Sequence, residues 1–212
     1  MARRTKEEAQ ETRSTIMMEA LGLFCQHGVA TTSLSDIARA AGVTRGAIYW
    51  HFKDKEELFL ALWHEMCAPL SHLLNASIDV DEQDPLGKFR VFLVELLRTL
   101  SSCTAHQQMF RIMYKMMQPD SELSAIRELV REEVKQHMQH TRCSLVNAVR
   151  RGQLPSTLPV ERAAFWLHAS IDGLIMNWLN RQEPFDLAAE AEALVQGLFF
   201  SLQHNLGQPR GG

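Results

Sequence analysis

The chain has 212 residues, of which 46% are hydrophobic and 22% are charged, and its formal net charge is −3. This composition is typical of a folded protein with one domain or two small ones, and it excludes low-complexity and disordered classes. The first 56 residues carry eight basic and seven acidic side chains, whereas the remainder carries fourteen and eighteen. A small basic region in an acidic protein is suited to local phosphate contact, not to general coating of nucleic acid.

The four cysteines are widely separated in the sequence, at Cys25, Cys67, Cys103 and Cys143. Each lies in an apolar, helix-like segment, so we expect reduced, buried thiols rather than disulfides. The N-terminus is too polar for a signal peptide, and no apolar run is long enough to span a bilayer. The sequence therefore predicts a cytoplasmic protein that does not cross a membrane.

Almost the whole chain is predicted to be helical, because apolar residues recur at helical spacing and no sustained period-two alternation occurs. The first helix is predicted over about 8–27, the second follows Ser33, the third follows Thr44 and ends at His51, and the fourth follows Asp54. The later helices are predicted at roughly 85–102, 105–118, 121–151, 159–181 and 186–205.

Residues 33–52 have the pattern of a helix-turn-helix. Ser33 and Asp36 form a predicted capping box, and Gly42 stops the helix that they begin. The turn between the two helices is about three residues long, and Thr44 caps the second helix. This spacing is typical of DNA-binding proteins that place the second helix in the major groove.

The second of these helices contains three consecutive ring-bearing side chains, and one helix cannot turn all of them into its own core. Ile48 and Phe52 can anchor the helix, which leaves the remaining side chains at or near the surface. In the alternative interpretation, the aromatic residues pack against neighbouring helices and the charges are only solvated. The residues of this surface that we predict to contact DNA are Arg45, Gly46, Ala47, Tyr49, Trp50, His51, Lys53 and Lys55.

The segment TSLSDIARAAGVTRGAIYWHFKDKEELF resembles the DNA-binding domain of TetR-family transcriptional regulators. The resemblance covers residues 8–66, and the segments MARRTKEEAQETR, DPLG, NAVRRGQLP and DGLI extend it to the subgroup that represses multidrug efflux pumps. It implies an all-helical homodimer, an inverted-repeat operator and a C-terminal ligand domain. The family's contacts add Ser33 and Thr44 to the predicted DNA-binding residues, and the small Ala47 implies weak base readout at its position.

The expected fold is therefore all-α and divided into two domains. Residues 1–54 form a three-helix helix-turn-helix DNA-binding domain, and residues 55–206 form a helical ligand-binding and dimerisation domain. Residues 207–212 are expected to be a flexible tail.

The helix predicted at 159–181 and the last helix share an apolar repeat with 3-4 spacing, which is typical of a coiled-coil seam. Two such helices from each subunit would make a four-helix dimer interface, where the family also dimerises. The alternative is ordinary packing within one chain. The residues that we assign to the dimer interface are Ala164, Leu167, Ile171, Leu174, Trp178, Ala191, Leu194, Val195, Leu198 and Leu202.

A hydrophobic ligand pocket is predicted in the C-terminal region, which is rich in methionine, a residue that adapts to irregular apolar ligands. The alternative for any one of these residues is a place in the ordinary core. The predicted ligand-binding residues are Trp63, Met66, Leu70, Phe89, Phe92, Leu93, Leu96, Met109, Met113, Met116, Met117, Met138, Leu145, His168 and Asp172.

Asp172 is the most informative polar residue of this set, because its neighbours in SIDGLIM are apolar. A buried, unpaired carboxylate is costly or takes up a proton. Asp172 is therefore expected either to pair with His168, Arg181 or a backbone donor, or to receive a cation or hydroxyl of a ligand.

The sequence contains no Gly-rich phosphate loop, HExxH motif or nucleophile elbow, so we expect no enzyme activity, cofactor or metal. The predicted function is that of a homodimeric repressor that a bulky hydrophobic ligand releases from operator DNA. By resemblance, its target is a multidrug efflux operon. One alternative is a sensor of acyl-CoA or another metabolite, which would require basic residues such as Arg111 and Lys115 near the ligand. The other is a helical interaction module without a DNA role.

Overall fold

The computed structural model describes residues 6–117, 124–181 and 185–204. Within these ranges the backbone forms nine α-helices and no strand, which confirms the all-α prediction. The ends of some predicted helices and the predicted tail lie outside the described ranges, in residues 1–5, 118–123, 182–184 and 205–212. The helices are α1 Lys6–His27, α2 Leu34–Ala40, α3 Arg45–His51, α4 Lys55–Ile78, α5 Pro85–Ser102, α6 Thr104–Met116, α7 Ser124–Arg150, α8 Val160–Asn180 and α9 Leu187–His204.

The ends of the first three helices follow from local side-chain and backbone chemistry. Ser33 and Asp36 form the predicted capping box at the start of α2, and Thr44 caps α3 by accepting a hydrogen bond from the Ala47 N–H. Gly28 and Gly42 follow α1 and α2 with φ angles of 88° and 66°. Because L side chains rarely adopt this left-handed conformation, glycine is suited to both positions.

The chain divides into two compact units, one within Met1–Cys67 and Ala105–Glu132 and the other within Ala68–Thr104 and Glu133–Gly212. Helices α4 and α7 contribute residues to both units. The first unit therefore includes α6 and the start of α7 in addition to the helix-turn-helix. The boundary at residue 54 between a DNA-binding domain and a ligand-binding domain stays a prediction.

The first unit has an apolar core that fixes α2 and α3 against α1 and the start of α4. The apolar stripe of α1, which includes Ile16, Leu21 and Phe24, is buried, and so are the predicted anchors Ile48 and Phe52 of α3. Phe24 of α1 packs against Phe59 of α4 with 6.4 Å between ring centroids. The guanidinium of Arg13 lies 5.0 Å from the centroid of the Phe52 ring, so α1 covers the end of α3.

The second unit has its core between α5, α8 and α9. Phe89 of α5 contacts Phe199 of α9, with ring centroids 6.0 Å apart. A buried hydrogen bond of 2.7 Å joins the hydroxyls of Ser77 in α4 and Ser144 in α7. Each hydroxyl also lies within hydrogen-bond distance of a carbonyl oxygen of its own helix, so this pair links α4 and α7 within the unit.

All four cysteines are free thiols, as predicted, but each is half-buried instead of buried. No helix in the described part of the chain is long and apolar enough to cross a membrane.

Candidate functional site

Helix α3 presents an aromatic surface that the chain does not use for its own packing. Tyr49 is 50% exposed and Trp50 is 73% exposed, whereas His51 is half-buried against Trp50 with ring centroids 4.6 Å apart. The exposure of Tyr49 and Trp50 contradicts the alternative in which the aromatic triplet packs against neighbouring helices. These rings are available to another molecule.

The first turn of α3 combines an exposed basic side chain with accessible backbone. Arg45 and Gly46 are exposed, and the first N–H groups of a helix have no intrahelical acceptor. A Cβ on Gly46 would meet nothing closer than the Thr44 hydroxyl oxygen at 3.9 Å. Since packing within the chain does not require glycine here, its small size is suited to close approach by a partner.

Ser33 has a capping role that the structure defines in detail. Its Oγ accepts a hydrogen bond from the Asp36 N–H at 3.1 Å, and its own N–H donates to the Asp36 carboxylate at 3.1 Å. The Ser33 side chain, followed by its backbone N–H, holds the pKa of the Asp36 carboxyl below its usual range. Ser33 therefore fixes the start of α2, and contact with DNA stays a prediction.

Lys53 and Lys55, at the end of this surface, have different surroundings. The Lys53 ammonium is exposed, 3.7 Å from the Asp54 carboxylate. The Lys55 ammonium instead donates three hydrogen bonds to backbone carbonyl oxygens of the loop between α1 and α2. This geometry changes the interpretation of Lys55 from a phosphate contact to an internal contact.

The predicted ligand-binding residues of the first unit are mostly core residues. Trp63 lies in edge-to-face contact with Phe110, with ring centroids 6.3 Å apart. His106 donates from Nε2 to the Met66 carbonyl at 3.1 Å, and its buried Nδ1 has no hydrogen-bond partner among the residues that the structure describes. Trp63, Met109, Met113 and Met116 are buried, Met66 is half-buried and Met117 is exposed.

The predicted ligand-binding residues of the second unit include one polar pair. His168 Nε2 lies 3.3 Å from Asp172 Oδ2, one helical turn away on α8. Asp172 is half-buried, which corrects the expectation of a carboxylate enclosed by apolar neighbours and matches the internal-pair interpretation. Leu70, Phe89, Leu93 and Leu145 are buried, and Phe92, Leu96, Met138, His168 and Asp172 are half-buried. That these fifteen residues line one cavity stays a prediction.

The residues assigned to the dimer interface mainly form the core of the single chain. Trp178 is half-buried, and its indole N–H donates to the Phe185 carbonyl at 2.9 Å. Because these side chains contact their own chain, they have little surface left for a second subunit. Ala164, Leu167, Ile171, Ala191, Val195 and Leu202 are buried, and Leu174, Trp178, Leu194 and Leu198 are half-buried.

The same two helices have another apolar face, outside the predicted dimer seam. Phe165 on α8 is 68% exposed and Phe200 on α9 is 56% exposed. A Cβ on Gly173 or Gly197 would meet no neighbouring atom within 4 Å. We call this surface the α8–α9 face and define it by Phe165, Ala169, Gly173, Ala193, Gly197 and Phe200. The helical spacing of these aromatic and small residues in the sequence could have revealed it.

Comparison with known proteins agrees with the helix-turn-helix and extends beyond it. Residues 16–62 match the family described as bacterial regulatory proteins, tetR family. Residues 84–204 match the C-terminal region of MAATS-type transcriptional repressors. The chain belongs to the TetR family of transcriptional regulators.

Several TetR-family relatives match this regulator over nearly its whole length. The transcriptional regulator TtgR of Pseudomonas putida is 43% identical over 195 residues, which is 92% of this chain and 93% of TtgR. NalD, the secondary repressor of the MexAB-OprM multidrug efflux pump in Pseudomonas aeruginosa, has a crystal structure that is 31% identical with a TM-score of 0.76. That match covers 94% of this chain and 100% of the NalD chain.

A third match is a ligand complex. SmeT, the repressor of the Stenotrophomonas maltophilia efflux pump SmeDEF, matches in its complex with triclosan. The TM-score is 0.82 at 25% identity, over 96% of this chain and 97% of that chain.

This TetR-family chain also has two histidines that the predicted ligand set omits. His137 and His140 lie on α7 with ring centroids 6.3 Å apart, and the His137 Nδ1–H donates to the Glu133 carbonyl. Burial lowers the pKa of His137 against the opposing effect of Glu133, and His140 and His168 lower it further. Their i, i+3 spacing was visible in the sequence, but no set of three His, Cys, Asp or Glu residues within the described ranges could hold a metal ion.

Proposed function

We propose that this protein is a ligand-responsive repressor of a multidrug efflux operon, released from a palindromic operator by bulky hydrophobic drugs. The exposed α3 surface, with Tyr49 and Trp50 beside Arg45, is the observation that carries the DNA-binding role. The full-length similarity to efflux-pump regulators supports the target. Since an operator lies on the bacterial chromosome, we place this activity in the cytoplasm, and we propose no catalytic step, cofactor or metal.

The α3 surface suits both backbone and base contacts with DNA. Backbone N–H groups at the start of α3 can bind a phosphate oxygen, and Gly46 allows close approach. Arg45 is positioned to pair with a phosphate or with a guanine edge in the major groove. Tyr49 and Trp50 can donate hydrogen bonds to phosphates, and the exposed Lys53 adds charge. Backbone contacts of this kind fix the register in which base contacts are made.

Operator binding by two subunits requires a dimer, and the α8–α9 face is the surface that we propose for it. A contiguous exposed apolar patch is a sign of a protein–protein interface. Small residues between Phe165 and Phe200 allow helices of a second subunit to approach closely. A dimer of helix-turn-helix domains meets successive major-groove sites about 34–36 Å apart.

Ligand release follows if the ligand-bound state holds the two α3 helices at a different spacing. We propose that α4, which contributes Trp63 and Met66 to the predicted ligand set, transmits the change. Bound ligand then weakens operator binding, and bound operator weakens ligand binding by the same amount, a coupling free energy of about 1–3 kcal/mol.

The acyl-CoA alternative is less consistent with the position of the available basic residues. Arg111 and Lys115 are exposed on α6. Burial raises the pKa of the Cys25 thiol on α1, and the positive charges of Arg111 and Lys115 partly offset this effect. Their charges therefore act near α1 within the first unit. A hydrophobic drug requires no such phosphate-binding cluster, so we favour it as the ligand class.

The decisive experiment is fluorescence anisotropy with labelled DNA from the region upstream of the gene. We expect tight binding that weakens steeply with salt, because phosphate contacts release counterions. Triclosan and a panel of hydrophobic antibiotics are then added to the complex. Reversal by one of them supports the drug-responsive repressor, whereas tight binding that none reverses would point to a metabolite. If no operator is found there or by a genome-wide search, the DNA-binding role is wrong.

Asp172→Ala tests the predicted ligand site. We expect ligand affinity to fall about tenfold or more if the carboxylate accepts a hydrogen bond from the ligand, with operator affinity unchanged. Ligand titration calorimetry and operator anisotropy measure the two effects separately. Glu192→Ala, which removes an exposed carboxylate from α9 in the same unit, is the control. Unchanged ligand affinity, together with an altered thermal unfolding midpoint, would show that Asp172 has a structural role within the chain and does not bind the ligand.

A further inference from the structure

Lys55 is the first residue of α4, and its ammonium group is directed back toward the loop that precedes α2. Its Nζ donates hydrogen bonds to the carbonyl oxygens of Val29 at 2.6 Å, Ala30 at 3.1 Å and Thr32 at 3.0 Å. An ammonium group has three hydrogens, so these three acceptors use its full donor capacity.

The loop that receives these hydrogen bonds cannot satisfy its carbonyls by regular secondary structure. It begins at Gly28, which has a φ of 88°, and it contains Val29 and Thr32, both of which are buried. The Thr32 hydroxyl donates to the Gly28 carbonyl at 2.8 Å, which tightens the loop further. Since buried carbonyls without partners are costly, the Lys55 ammonium contributes directly to this loop conformation.

The loop leads without interruption into the helix-turn-helix. Ser33, the N-cap of α2, follows Thr32, and the turn containing Gly42 joins α2 to α3. A change in the loop therefore displaces the start of α2, and through the short turn it displaces α3.

The environment of Lys55 also differs from that of a phosphate-binding lysine. Its pKa is lowered by burial, and Glu56 opposes this effect. Lys53, two residues earlier, has an exposed ammonium that lies 3.7 Å from the Asp54 carboxylate. The two lysines at this end of the α3 surface thus differ, because backbone carbonyls accept hydrogen bonds from Lys55 whereas Lys53 forms an exposed ion pair.

We propose that Lys55 is a positioning residue for operator binding, which ties the first turn of α4 to the α1–α2 loop and so fixes α2 and α3, without neutralising a DNA phosphate itself. The proposal rests on the operator binding proposed above. In this proposal Lys55, at the edge of the DNA-binding surface, holds that surface in place and does not neutralise DNA charge.

The test compares Lys55→Met, which keeps the aliphatic chain and removes the donors, with Lys55→Arg and with the matched control Lys53→Met. Operator affinity is measured by anisotropy at several salt concentrations. Lys53→Met is expected to weaken binding and to reduce the salt slope by about 0.9, the value for one phosphate contact. Lys55→Met is expected to weaken binding about tenfold or more with an unchanged slope, and Lys55→Arg is expected to recover most of the affinity, because arginine can still donate to several carbonyls.

A reduced salt slope in Lys55→Met would overturn the proposal, since it would mean that Lys55 contacts a phosphate. Unchanged affinity would overturn it equally. If Lys55→Met does not fold, Lys55→Gln, which retains two donors, takes its place with the same expected slope. Hydrogen exchange of the amides in residues 29–33 is expected to be faster in the Lys55 variant than in Lys53→Met. This measurement needs no DNA, so it tests whether Lys55 holds the α1–α2 loop even if the wild-type protein binds no operator and the proposed function is wrong.

Discussion

Tyr49→Ala is expected to weaken operator binding by about tenfold to a hundredfold while leaving the unfolding free energy almost unchanged. A hydrogen bond to a charged phosphate contributes about 1.5–3 kcal/mol, and each 1.4 kcal/mol is a factor of ten in affinity. Tyr49 is half exposed on α3, so its removal leaves the buried anchors Ile48 and Phe52 in place. Anisotropy with operator DNA and thermal unfolding measure the two quantities.

Two further variants separate the parts of this effect. Tyr49→Phe keeps the ring and removes only the hydroxyl, so it isolates the hydrogen bond. Val91→Ala removes exposed apolar surface from α5, in the second unit, and is expected to leave operator affinity unchanged. Wild-type affinity in Tyr49→Ala, at every salt concentration, would contradict the assignment of the α3 surface to DNA.

Phe200→Asp is expected to convert the protein to monomers and to reduce operator affinity by about a hundredfold or more. A carboxylate in an apolar interface would lose its hydration, which is strongly unfavourable, and only the neighbouring ring of His204, which stacks on Phe200, is placed to offset part of this cost. Loss of the dimer also removes the advantage of binding two half-sites together, which typically amounts to a factor of about 10²–10⁴. Sedimentation velocity measures the oligomeric state, and circular dichroism checks that the helices are retained.

The control for this prediction is a charge at another exposed apolar position of the same unit. Val91→Asp on α5 lies outside the α8–α9 face and is expected to remain dimeric. Phe165→Asp is expected to behave like Phe200→Asp. Trp178 is a poorer probe, because its indole N–H bonds to the Phe185 carbonyl and its loss would disturb the chain's own packing. An intact dimer in both phenylalanine variants would remove the α8–α9 face as the interface.

The helix-turn-helix could be predicted in detail because its signals are local in the sequence. The Ser33–Asp36 capping box and the Thr44 cap depend on residues three positions apart, and the glycine turn is equally short. The anchors Ile48 and Phe52 could be recognised from their spacing of four. The exposure of Tyr49 and Trp50 then follows from helix geometry, since one face of a short helix is already used.

The direction of each helix face in the second unit could not be predicted in the same way. Helix α8 is apolar on more than one side, so periodicity alone does not say which side meets α9 and which side meets solvent. Periodicity alone placed Leu167 and Ile171 in the predicted dimer seam, but the structure buries them in the chain's own core. Phe165, on another side of the same helix, is left exposed.

By itself the sequence determined the all-α class, the start and end of the DNA-binding helices and the aromatic surface of α3, because caps, turns and helical spacing act over a few residues. Only the tertiary structure decided the partners of Lys55 and which side of α8 remains exposed. Lys55 and its carbonyl acceptors are separated by more than twenty residues in the chain, and such contacts form only when α1 and α4 pack together. Charge and periodicity are encoded locally, but the partner of a charge is set by the packing of distant segments.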